Sequence, residues 1–471
     1  MKQVLLFLLV TFWIGVSSAQ TVFSAPQIID PNTGNEPNEI ESGDLDGDGD
    51  IDLVMATYDY NGGIPAQDYI KWYANDGSGN FTIQATVSST IQWVDGLAVG
   101  DVDGQFGDDI IATSAIQNKL VYYPSNGMGG FGSEVLIATI LGPTEVKVGD
   151  INMDGSIDLL VASYTEDKAL WFSGDGNGNF SAQTDVNSGS GNNPLVLDIG
   201  DFDGDTDLDV VVGYYTNQSV EIFYNQYIES GTMTVSWIQD AVTVDSGNSF
   251  LFQVAFGDVN NDGTMDVLKL DNVSGEVEWF NKVINGASTA YTISNNTVIS
   301  RPGKMYVADL DNDALNDVIV TDSGSINNAA IWFKGVNNSP PVSTPNLLPD
   351  SNHQLFDITV ADFDSDLDQD IAYVGNFNDS VYWYENLLET LSIQHLNKKH
   401  TSIYPNPVNS ELHLKNDVNQ DYEVEIYNML GQKIGNGTIS SIETLDVSGL
   451  NKGVYVLKIP ELNFRQQFVK N

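Results

Sequence analysis

Asp44-Leu-Asp-Gly-Asp-Gly-Asp-Ile-Asp52 places an acid at every second residue and ends where an aliphatic run, Leu53-Val-Met-Ala56, begins. The pattern of an apolar strand, Gly/Ala-Asp, an acidic loop and then Asp with aliphatic residues returns at Asp101, Asp150, Asp201, Asp258, Asp309 and Asp362. That makes seven copies, 49 to 57 residues apart. An aromatic pair follows each loop start by 21 to 28 residues: Trp72-Tyr73, Tyr122-Tyr123, Trp171-Phe172, Phe223-Tyr224, Trp279-Phe280, Trp332-Phe333 and Trp383-Tyr384. Alternation of period two, as in Val146-Lys-Val-Gly149, reads as strand, and no helical pattern of useful length occurs. A unit of about 50 residues with four short strands has the size of one propeller blade. The expected fold is all-β, a seven-bladed β-propeller.

The seventh unit stops after Trp383-Tyr-Glu-Asn386 without a fourth strand. Thr21-Val-Phe-Ser-Ala-Pro-Gln-Ile-Ile29 resembles the missing piece, as seen in Phe131-Gly-Ser-Glu-Val-Leu-Ile137. Residues 21–30 are therefore expected to complete the last blade and close the ring, which removes an open sheet edge.

The loops carry oxygen donors at positions 1, 3, 5 and 9. The sets are Asp44, Asp46, Asp48, Asp52; Asp101, Asp103, Asp109; Asp150, Asn152, Asp154, Asp158; and Asp201, Asp203, Asp205, Asp209. They continue with Asp258, Asn260, Asp262, Asp266; Asp309, Asp311, Asp313, Asp317; and Asp362, Asp364, Asp366, Asp370. Asp50 would lend a main-chain carbonyl at position 7. Crowded carboxylates repel unless a cation sits among them, and 6–8 hard oxygens suit calcium. Up to seven calcium ions are expected. The loop departs from an EF-hand, because position 12 is Met55, Ala112, Val161, Val212, Lys269, Val320 or Tyr373 and never Glu. Gln105 at position 5 makes the second loop the weakest set. An acidic, solvated turn without metal is the bland alternative, and seven recurrences at fixed spacing weigh against it.

Composition agrees with organised acid. Lys and Arg total 18 against 65 Asp and Glu, a formal charge of −47. That excludes a basic footprint for nucleic acid. Residues 401–471 hold 6 basic and 8 acidic residues, so the excess lies upstream. The 41% hydrophobic content argues against disorder. There is no cysteine, hence no disulfide, thiol nucleophile or Cys-bound zinc. Residues 1–19 read as a signal peptide: Lys2, the apolar Val4–Val16 and the small-residue site Ser17-Ser-Ala19. The apolar run is short for a membrane anchor, and no transmembrane segment is expected.

The repeat is similar to the FG-GAP/VCBS repeat, which builds the calcium-bearing propeller of integrin α chains and of many bacterial surface proteins. The resemblance spans about residues 21–386 and carries the calcium role onto the loop residues named above. After a linker, residues 387–400, the order changes to Tyr404-Pro-Asn-Pro407, Ile426-Tyr-Asn-Met-Leu-Gly431 and Gly453-Val-Tyr455, with a basic end. Its short alternating strands suit a small β-sandwich. The order resembles the type A sorting domain of the type IX secretion system, over residues 401–471. That implies export across an outer membrane, to the bacterial cell surface or beyond, with residues 20–386 as cargo and the type IX machinery as partner.

The cargo reads as a binding or adhesion module for an extracellular glycan or protein, and not as an enzyme. Its one histidine, His353, stands in a Pro/Asn/Ser-rich stretch, while His395, His400 and His413 lie beyond it. No phosphate loop, serine elbow or zinc motif occurs. A polysaccharide lyase or hydrolase on the same scaffold is the alternative, as is a structural part of a surface assembly. The repeated aromatic pairs read as packing between blades, whereas Trp93 and Trp237 fall outside that register and are candidate ligand contacts.

Overall fold

A computed structural model describes residues 23–34, 36–58, 68–105, 107–187, 192–231, 234–245, 250–295, 298–324, 330–341, 344–349, 355–375, 378–388, 402–404, 406–415, 422–428, 433–440, 444–459 and 464–470. The proposed leader 1–19, His353 and most of the linker lie outside them. The chain divides into two compact units, one reaching to Leu388 and one starting at Glu389.

The first unit begins with β1 (Gln27–Asp30) and then builds four-stranded antiparallel sheets. The first sheet holds β2 (Pro37–Gly43), β3 (Asp52–Thr57), β4 (Ile70–Ala74) and β5 (Thr82–Ile83). The second holds β6 (Gly96–Gly100), β7 (Asp109–Ser114), β8 (Lys119–Tyr123) and β9 (Val135–Thr139). Next come β10 (Pro143–Gly149), β11 (Asp158–Ser163), β12 (Lys168–Phe172) and β13 (Thr184–Asp185). The fourth sheet is β14 (Pro194–Gly200), β15 (Asp209–Tyr214), β16 (Val220–Asn225) and β17 (Trp237–Gln239). The fifth is β18 (Leu251–Gly257), β19 (Asp266–Asp271), β20 (Val277–Lys282) and β21 (Ser288–Ser294). The sixth is β22 (Pro302–Ala308), β23 (Asp317–Asp322), β24 (Ala330–Phe333) and β25 (Asn346–Leu347). The seventh has only three strands of its own, β26 (Leu355–Ala361), β27 (Asp370–Gly375) and β28 (Ser380–Tyr384).

β1 supplies the fourth. Gln27 pairs with Trp383 and Ile28 with Tyr382, and Phe23 bridges Asn386 as Phe131 bridges Ser125 and Phe180 bridges Gly174. Asp30, buried, accepts the hydroxyl of Tyr73 from the first sheet at 3.1 Å. The opening strands β2, β6, β10, β14, β18, β22 and β26 pack each on the next, and β26 packs on β2.

The aromatic pairs explain why the sheets stack. One member faces forward and one backward, so neighbouring units share a cluster: Trp72 with Tyr123, Tyr122 with Phe172, Trp171 with Phe223. The series continues with Ile222 and Phe280, Trp279 and Phe333, Trp332 and Tyr384, and returns with Trp383 and Tyr73. The fourth pair needs a correction. Phe223, not Tyr224, sits opposite Val210, the position that Tyr73 takes opposite Leu53, so Ile222-Phe223 is the pair in register. Each fully buried aromatic side chain contributes roughly 1.5–3 kcal/mol of burial.

Each opening strand is a sheet edge whose amides need acceptors. Side chains of the preceding sheet supply several. Ile40 N–H donates to Asp357 at 2.9 Å, Leu197 N–H to Glu145 at 3.1 Å, Phe256 N–H to Asp198 at 2.9 Å and Met305 N–H to Gln253 at 2.7 Å. Lys304 Nζ stands 3.4 Å from Glu39. Acids outnumber the two lysines here, and burial pushes Glu41 up to about 7, with Lys147 and Lys304 opposing and Asp357 and Glu145 adding to the rise.

A carboxyl raised in the fold binds a proton that the unfolded chain has already released. Stability therefore falls as pH rises from the ordinary glutamate value of 4.5 to about 7. In saturating calcium the thermal midpoint is expected to be higher at pH 6 than at pH 8. Glu41→Gln should flatten that slope, and an unchanged slope in differential scanning calorimetry would contradict the assignment.

The second unit pairs β29 (Ser402–Tyr404) and β33 (Leu445–Asp446) about β30 (Glu411–Lys415). A second sheet runs in the order β32 (Lys433–Ile439), β31 (Tyr422–Asn428), β34 (Gly453–Ile459), β35 (Phe464–Lys470). Ile403, Leu412 and Leu414 of the first sheet share one buried cluster with Val424, Ile426 and Leu457 of the second. His413 stacks on Tyr404 at 5.2 Å. No helix among the described residues is long and apolar enough to cross a membrane.

Candidate metal centres

All seven acidic loops lie between the first and second strands of their sheets. Their coil follows from backbone sign. Positions 4 and 6 are left-handed in six loops: Gly47 and Gly49, Met153 and Gly155, Gly204 and Thr206, Asn261 and Gly263, Asn312 and Ala314, Ser365 and Leu367. Alternate left-handed residues turn the odd positions to one side. The position 1 carboxylate then takes loop amides: Asp150 accepts Asp154 N–H and Gly155 N–H, and Asp258, Asp309 and Asp362 do the same in their loops. Thr206, branched at Cβ and at φ 88°, is strained there.

Position 2 anchors the loop. Leu45, Val102, Ile151, Phe202, Val259, Leu310 and Phe363 are all buried. Their carbonyls also tie the loop to the following sheet. Ser125 Oγ donates to Leu45 O at 2.7 Å, and Asn75, Asn225 and Asn386 side chains donate to Phe363 O, Ile151 O and Leu310 O. A loop that lost its shape would thus loosen the joint between two sheets.

Position 9 opens the second strand and is a clasp. Asp209 takes Phe202 N–H at 3.0 Å on one oxygen and Asn225 N–H at 2.9 Å on the other. Asp52, Asp109, Asp317 and Asp370 repeat the arrangement, and Asp158 varies it by taking Asn152 N–H from position 3 and Trp171 Nε1–H on Oδ2 and Gly174 N–H on Oδ1. Asp266 differs in detail, with Oδ2 buried and outside good hydrogen-bond geometry although Trp279 and the Asn260 and Val259 amides stand beside its carboxylate. Burial pushes these carboxyls up, to about 7 for Asp52, Asp266 and Asp317 and about 8 for Asp209 and Asp370. A divalent cation among them would favour the charged form and reverse that direction.

The donor sets fit such an ion. At position 3 the oxygens Asp46 Oδ1, Asp203 Oδ1, Asn260 Oδ1 and Asp311 Oδ1 are buried with no donor in reach. Carboxylate oxygens of Asp44, Asp46 and Asp48 lie within 4.8 Å of one another. The same holds for Asp101, Asp103 and Asp109, for Asp201, Asp203 and Asp209, and for Asp309, Asp311 and Asp317. The second loop, weakest on paper, therefore brings its three aspartates together despite Gln105. Acceptor-only groups gathered this way suit a hard cation of calcium type.

The chain carries FG-GAP-like repeats. The family's profile matches residues 44–105, 150–212 and 201–268, and a secretion system C-terminal sorting domain matches residues 402–470. The sorting domain directs the FG-GAP unit to the type IX system and so to the outside of the cell. No curated protein matches the chain. Among solved structures it is similar to an Agrocybe aegerita lectin described as recognising non-reducing terminal N-acetylglucosamine, at 15% identity over 75% of this chain and 86% of that one, with a TM-score of 0.47. It is also similar to a functionally unknown protein from Desulfotomaculum acetoxidans, at 12% identity over 68% and 87%, with a TM-score of 0.45.

Three features of the FG-GAP loops escape sequence reading. Lys334 places its ammonium on Asp311 and Asp313, the latter at 2.7 Å, inside the sixth set. Its signal was a lone lysine after the Trp332-Phe333 pair, where the other units have no base. An internal cation competes with an external one, so Lys334→Met should raise the calcium affinity of this loop several-fold; isothermal titration would check it. Asp207 at position 7 is buried as a side chain, not just a carbonyl donor. Glu229, outside the loops, joins Asp203 and Asp205.

Of the two tryptophans outside the aromatic register, Trp237 packs partly into the cluster around Phe223 and is no free platform. Trp93, left-handed at φ 50°, lies 5.0 Å from the ring of Tyr58.

Proposed function

We propose that the FG-GAP unit is a closed seven-bladed β-propeller, stabilised by calcium in its loops, that works outside the cell as a binding or adhesion module. Cleavage of a leader after Ala19 starts its export, and residues 401–471 complete it. The closed ring is supported by the cyclic series of shared clusters that ends with Trp383 on Tyr73. Calcium is supported by the donor-less buried oxygens at position 3.

The observation that carries the binding role is a pocket of about 500 Å³ at the ends of the opening strands away from the loops. It mixes Tyr58, Phe252 and Phe356 with Glu145, Arg301 and Lys304. Apolar faces with a few convergent polar groups are what a small ligand or a chain end needs. Retention of the secreted chain on immobilised glycans and matrix proteins, in calcium and in chelator, tests it. Calcium-dependent retention that Tyr58→Ala weakens supports the module, and no retention on any surface overturns it.

One observation favours a second reading, a polysaccharide-acting enzyme. Asp95 lines the same pocket, and burial pushes it up to about 7, the range of a general acid. Shortened polysaccharide in the eluate would select that reading.

A further inference from the structure

We infer that the fourth loop holds a second divalent cation, of calcium type, among Asp203, Asp205, Asp207 and Glu229, beside the ion expected between Asp201, Asp203 and Asp209. The inference rests on the calcium reading of the loops and extends it beyond the repeat's own residues.

Two carboxylate triads meet here and share Asp203 alone: Asp201, Asp203 and Asp209 in one, Asp203, Asp205 and Glu229 in the other, each with oxygens within 4.8 Å. A carboxylate has two oxygens and can serve an ion with each. Asp207 is the independent sign. It is fully buried, its Oδ1 meets no donor, and its own N–H donates to Asp205 Oδ1 at 3.0 Å. Its Oδ2 accepts Ile228 N–H at 3.0 Å, which fixes the turn that presents Glu229. Asp203 Oδ1 and Asp205 Oδ2 are likewise buried without a donor. Three acceptor oxygens buried in one place are costly unless a cation meets them.

Besides Asp207, a carboxylate at position 7 recurs in the first and seventh copies, as Asp50 and Asp368, and in no other. Position 7 is Gly107, Ser156, Thr264 or Leu315 in the second, third, fifth and sixth copies, none of them a carboxylate. Glu229 itself lies in the long connection between β16 and β17, exposed at the mouth of the cluster. An oxygen-only set of this kind prefers calcium to softer metals.

The test counts calcium per full-length chain by atomic emission after dialysis against millimolar calcium. Glu229→Gln is exposed and keeps shape, so it isolates the charge; Glu423→Gln in the second unit is the control. One ion fewer in Glu229→Gln, with the control equal to the unmodified chain, is the expected result. Equal counts in all three overturn the second site, as does the same loss in the control. Asp207→Asn should reproduce the loss; because it is buried and could misfold, Glu229→Gln decides alone in that event. No calcium on the unmodified chain would instead overturn the reading of the loops themselves.

Discussion

Chelation is expected to lower the thermal midpoint of the FG-GAP unit by roughly 10–40 °C, with most of the near-ultraviolet aromatic signal lost in the same transition. At calcium concentrations 10 to 100 times a dissociation constant of the extracellular class, each occupied loop adds about 1.4–2.7 kcal/mol. Seven loops then add roughly 10–19 kcal/mol, and a unit of this size moves about 1–2 °C per kcal/mol. The aromatic signal follows because the Asn or Ser ties at position 2 join four of the loops to the neighbouring sheet, where the tryptophans pack. Equal melting in calcium and in chelator would show that the loops hold shape by hydrogen bonds alone.

Removal of residues 20–31 should do comparable damage by another route. β28 would become an edge strand with unpaired amides, Phe23 would leave the cluster around Tyr384, and Asp30 would no longer receive Tyr73. The expected result is a loss of at least 5 kcal/mol, by comparison with roughly 3–5 kcal/mol for a single large core truncation, together with self-association through the bare edge. Size-exclusion chromatography and denaturant titration measure both. Attaching residues 21–31 after Asn386 instead should restore the monomer. A truncated chain that melts and elutes unchanged would remove β1 from any role in holding the unit together.

Much of this was legible because the information was local and repeated. Seven nonapeptides with oxygen donors at alternate positions announce a loop between two strands, and position 9 does begin the second strand in every copy. The similarity of Thr21–Ile29 to the fourth strands of other units was enough to pair it with β28. What sequence could not give was proximity between distant residues. Lys334 reaches Asp311 across a sheet, Glu229 reaches Asp203 across a turn, and Lys304 reaches Glu39 from the far side of the chain. Side-chain type also misled once: Tyr224 looked like the second member of an aromatic pair, while strand register gives that place to Phe223 and its partner place to Ile222.

The pairing of β1 with β28 has a consequence for how the protein comes into being. Ser24 and Glu385, joined by a hydrogen bond, are 361 residues apart, so β1 must wait for the last strand of its unit to be made. Six sheets can form as local meanders in the meantime, while the seventh depends on the slowest kind of contact, one of very large sequence separation. A chain cut short before β28 would keep an orphan β1 and an incomplete joint, which makes this strand pairing a check that the first unit has been made through to its last strand.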